Sequence, residues 1–160
     1  MCTIITGCIP KGISLNAVNA IARKELGFPF QVCANDFVQK QLLKDECYIA
    51  KASHECDCDT LLGIYPRRKQ MSWSDELIEE FLADKKQVNE HANLKKWQGF
   101  ILKLLDTTKM KQFGILLHWY SHGVHNEEIA ITKRITVPKS RFSAQTLLEM
   151  EEDTLYCIMA

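Results

Sequence analysis

Short apolar runs recur along this chain, each bounded by glycine, proline or charged residues. None reaches the roughly 20 residues that a membrane-spanning helix needs. CTIITGCI (2–9), CYIA (47–50), QFGILLHWY (112–120) and LYCIM (155–159) are rich in β-branched and aromatic residues, which is the signature of strands. FPFQVCA (28–34) reads as a further strand, placed at an edge by Pro29. In EEIAITKRITVP (127–138), Ile129, Ile131, Ile135 and Val137 alternate as in a half-buried strand. Other stretches carry the helical period. Leu15, Val18, Ile21, Ala22 and Leu26 follow a candidate N-cap at Ser14 and precede Gly27. Asn35 or Asp36 caps a short helix, and SAQTLLEM (143–150) forms another.

In SDELIEEFLADKKQ (74–87), Leu77, Ile78, Phe81 and Leu82 share one stripe. Leu94, Trp97, Ile101, Leu104 and Leu105 resume the pattern with a shifted phase, so the chain holds two helices here, or one bent near 86–93. The order β-α-β-(α)-β, two helices, β-β-α-β predicts an α/β or α+β fold: a mixed sheet of about five or six strands with helices packed on it. One domain over 1–160 is expected, with a polar connector at 66–73 before a helical segment at 74–106.

Composition narrows the function. The chain has 160 residues, 46% hydrophobic and 25% charged, with a formal net charge of zero. That balance carries no nucleic-acid footprint. Gly12, Gly27 and Gly63 stand alone, so no phosphate loop and no nucleotide cofactor are expected. The opening has no basic n-region, so the sequence predicts a cytoplasmic protein with no membrane association.

Seven cysteines without a signal segment argue against a disulfide framework. Cys2, Cys8, Cys33, Cys47 and Cys157 lie in apolar runs and read as core packing. Cys56 and Cys58 sit among charges in ASHECDCDT (52–60). On a flat strand their side chains would stand ~6.6 Å apart. Two sulfurs on one zinc are under ~4 Å apart, so a shared ion requires a turn at Asp57.

HWYSHGVH (118–125) supplies His118, His122 and His125, with Gly123 to bend the loop. His118 reads as a core residue. If the strands ending at 53 and 120 are parallel neighbours, both loops leave the same sheet end. The leading reading is then a Cys/His metal site, zinc by donor type, built from His54, Cys56, Cys58, His122 and His125. A second reading is a cysteine-nucleophile hydrolase or acyl transferase. It pairs Cys56 or Cys58 with His122 or His125, oriented by Asp57, Asp59 or Asn126. A third is a protein-partner-binding role with no site in these loops. PRRK (66–69), flanked by Tyr65 and Trp73, reads as a solvated basic loop.

The opening MCT resembles the starts of choloylglycine hydrolases and class II glutamine amidotransferases. Over these three residues the resemblance implies removal of Met1 and an N-terminal Cys2 nucleophile in a four-layer fold. No matching Arg or Asp motif follows, and Cys2 is read as a strand residue at the sheet edge.

Overall fold

A computed structural model describes residues 2–53, 56–84 and 90–160. They form one six-stranded mixed sheet in the order β2-β3-β1-β4-β6-β5. The strands are β1 (Cys2–Pro10), β2 (Phe30–Val32), β3 (Glu46–Lys51), β4 (Gln112–Tyr120), β5 (Lys133–Pro138) and β6 (Thr154–Met159). All pairings are antiparallel except that of β5 with β6. The helices are α1 (Leu15–Glu25), α2 (Asp36–Gln39), α3 (Leu61–Gln70), α4 (Asp75–Asp84), α5 (Glu90–Thr107) and α6 (Ala144–Leu148). No helix among the described residues is long and apolar enough to cross a membrane.

Strand alternation builds two cores. Ile5 and Ile9 of β1, with Phe113, Ile115 and Leu117 of β4, face the layer of longer helices. That layer contributes Leu62, Ile78, Trp97, Phe100, Ile101 and Leu104. Their partners one residue away face the opposite side. There Cys8, Tyr48, Leu116, Tyr120 and Cys157 pack under α2 and the chain around Ile129. The expected mixed sheet with packed helices is present, as one sheet rather than the four layers that the opening residues imply.

Four expectations differ. The stretch 66–73 is not a connector: α3 runs through it to Gln70, with Pro66 inside the helix. Its basic side chains are engaged within the molecule. Arg67 stacks on Trp119 at 3.5 Å and pairs with Glu152, while Arg68 lies over Trp73 at 4.5 Å. The strand expected over 127–138 forms only from Lys133; Ile129 is buried from a non-strand segment. β3 and β4 are not neighbours, because β1 lies between them and runs antiparallel to both. They still run in the same direction, so the loops that follow them leave the sheet at one end. That end is where β1 begins, with Cys2 opposite Tyr120. β1 is thus a central strand, not an edge.

Candidate metal centre

The cysteine loop is held against a gap in the sheet. β1 pairs with β4 from Cys2 to Cys8 but with β3 only from Gly7 to Pro10. On the β3 side the backbone at Thr3 and Ile5 needs other partners. Residues 57 and 58 supply them. Asp57 N–H donates to the Thr3 carbonyl at 2.8 Å. The Ile5 N–H donates to Asp57 Oδ2 at 2.9 Å, and the Thr3 N–H donates to Cys58 Sγ at 3.2 Å.

Asp57 is 1% exposed, a placement that requires a counter-charge. Lys51, the last residue of β3, provides it through Nζ to Oδ1, with its ammonium 4.6 Å from the Phe28 ring. The chain then turns into α3. Thr60 donates to the Asp57 carbonyl, and its side chain caps the helix by accepting from the Gly63 N–H. A Cβ on Gly63 would fall 1.9 Å from the Asp57 carbonyl oxygen, so only glycine fits beneath this turn.

Anchored in this way, the bend at Asp57 brings Cys56 and Cys58 together, as a shared ion would require. The sulfurs of Cys2, Cys56 and Cys58 all lie within 4.8 Å of one another, and each residue is half-buried. This group can hold a metal ion. The thiols are not equivalent. Burial acts to raise Cys56, but hydrogen bonds from Cys58 and Cys2 outweigh it and hold the thiol below its ordinary value. Burial, and the hydrogen bond given to Cys56, push Cys58 up to about 11. Asp57 cannot orient a histidine, since Lys51 and Ile5 occupy its carboxylate.

The histidines belong to the neighbouring loop. Glu127 folds it by accepting the Ser121 and His122 N–H groups at 3.0 and 2.6 Å. Asn35 clamps it by donating to the Val124 and Glu127 carbonyls. Gly123 turns it with φ +89°, a left-handed conformation that favours glycine. His122 Nδ1 lies 3.5 Å from Glu127, with its side chain 80% exposed. His125 Nδ1 lies 3.5 Å from the Cys33 sulfur. Burial pushes Cys33 up to about 11, so this contact is a neutral thiol beside an imidazole rather than an activated pair. His118 is a packed residue, bonded to Asp153 and stacked edge-on against Tyr120. His54 lies outside the described residues.

Among the described residues, the metal-sized group is therefore three cysteines and includes neither His122 nor His125. Both histidines instead line a cleft of about 380 Å³ with Cys2, Lys51, Tyr120 and Asn126. Cys2 belongs to the sulfur cluster and to the cleft wall alike. Sequence reasoning missed Cys2 as a partner of Cys56 and Cys58 because the contact spans more than 50 residues and depends on the strand order. The chain matches no family model, no curated protein and no solved structure.

Proposed function

We propose that this protein binds a thiophilic metal ion, zinc foremost, through the thiolates of Cys2, Cys56 and Cys58. The observation that carries the reading is the convergence of three sulfurs within 4.8 Å. Tetrahedral zinc with bonds of ~2.3 Å needs sulfurs about 3.8 Å apart, which side-chain rotation can reach from that spacing. The lowered Cys56 thiol supports it, because thiolates are the ligating form. Three protein ligands leave a fourth position. His54, His122 and His125 are the chain's imidazole candidates for it, and a small ligand in the adjoining cleft is the other source.

The reading predicts about one equivalent of zinc in protein purified without chelator, as a single site requires. Cys2→Ser should lower zinc affinity by on the order of tenfold or more, and Cys47→Ser should leave it unchanged. The test is competition with a chromophoric chelator, with elemental analysis alongside. Equal zinc retention by wild type and a Cys2/Cys56/Cys58 triple-serine variant would reject the site. In that event, rapid alkylation of Cys56 or Cys58 that depended on His122 or His125 would favour the nucleophile reading instead.

A further inference from the structure

We propose that the same three-cysteine end of the sheet performs thiol–disulfide exchange with small-molecule disulfides that enter the cleft, closing a Cys2–Cys56 disulfide. The inference goes beyond metal binding, because it concerns the metal-free, reduced protein. It stands on two placements. Cys2 lines the cleft and Cys56 does not, so a disulfide seated there reaches Cys2 before Cys56. Cys56 lies within 4.8 Å of that sulfur on a different segment, so a second thiol waits beside the first. The cleft can seat a small ligand: Ile4, Ala50 and Tyr120 give it apolar wall, and Gln31, His122 and Asn126 give it polar groups.

The chemistry balances with the disulfide RSSR as the only oxidant. Cys2 gives its proton to solvent and attacks one sulfur of RSSR as the thiolate. A Cys2–S–S–R bond forms, the R–S–S–R bond breaks, and RS⁻ leaves. That thiolate takes up a proton from solvent. Cys56 then gives its proton to solvent, attacks the Cys2 sulfur and forms Cys2–S–S–Cys56, and the expelled second RS⁻ takes up a proton. Overall, two protein thiols are oxidised and RSSR is reduced to two RSH. Cys58 is the poorer resolver, since its sulfur is already engaged by the Thr3 N–H at 3.2 Å.

The test treats reduced, metal-free protein with glutathione disulfide and follows it by intact mass and peptide mapping. Half-exposed Cys47, on β3, serves as the internal reference. The expected product is two hydrogens lighter, carries no adduct and is linked Cys2–Cys56. It should form on the order of tenfold faster than any adduct at Cys47. Cys56→Ser should instead trap a lasting glutathione adduct on Cys2. A lasting adduct in wild type, a Cys56–Cys58 linkage, or a rate equal to that of Cys47 would overturn the proposal. The wild-type mapping decides even if a variant fails to fold. Zinc binding is measured on reduced protein without oxidant, so either reading can fail while the other stands.

Discussion

Asp57 is the residue from which the cysteine cluster hangs. Its backbone and carboxylate replace the strand that β1 lacks beside Thr3 and Ile5, and Lys51 neutralises it in a buried setting. Both side chains of the pair are under a tenth exposed, so removing one charge strands the other. Asp57→Asn should therefore destabilise the metal-free protein by about 3 kcal/mol or more, read by urea unfolding. Adding Lys51→Met should restore much of the loss, because the uncompensated ammonium is then gone. A single-variant effect near zero would mean that the pair does not anchor the loop. The turn at Asp57 could be inferred from Cys56 and Cys58 alone, since one ion cannot span a flat strand. The buried pair behind it could not. A Lys and an Asp six positions apart look like ordinary surface charges until the register of β3 and β1 places them.

At the scale of elements, legibility followed periodicity. β1, β4 and β6 are continuous apolar runs, and α1 and α4 carry a helical stripe, so each could be located from the residues. α3 could not. Leu61, Leu62 and Ile64 crowd its first turn, and Pro66 followed by Arg67, Arg68 and Lys69 has the texture of a connector. Tertiary packing overrides that texture, because the first turn fills the core while Arg67 reaches Trp119 on β4. Leu62 is fully buried, so Leu62→Ala should cost about 2–5 kcal/mol by denaturant titration. A value under about 0.5 kcal/mol, as for a solvated surface residue, would mean that the first turn of α3 does not fill the core. The site was half legible for a related reason. Local turn chemistry pointed to Cys56 and Cys58, whereas Cys2 and the cleft arise from β1 lying between β3 and β4.

Across the whole molecule, one polar cluster ties distant strands together on the sheet face opposite the longer helices. Glu46 at the start of β3 takes a bidentate bond from Arg134 of β5, at 2.8 and 2.6 Å, although β1, β4 and β6 lie between them. Gln112 of β4 and the Leu43 N–H also donate to this carboxylate, which satisfies a side chain only 1% exposed. Burial opposes ionisation, but the bonds from Arg134 and Leu43 prevail and hold the Glu46 carboxyl below its ordinary value. A depressed carboxylate stabilises the fold fully above its unfolded pKa, here 4.5. That contribution is lost as pH falls through the folded value, because the proton must then be taken up. Glu46→Gln keeps the shape and removes the charge. At pH 7 the variant should be less stable by about 2 kcal/mol, below the full figure for a buried pair because Arg134 is partly exposed. As pH falls below 4.5 the gap should narrow, since unfolded wild type then takes up a proton that the folded protein resists. Urea unfolding at pH 7 and near pH 3 measures both gaps. A gap that persisted undiminished at the lower pH would show that the loss comes from altered packing rather than from the ion pair, and the cluster would then contribute shape, not charge, to holding β3 and β5 in one sheet.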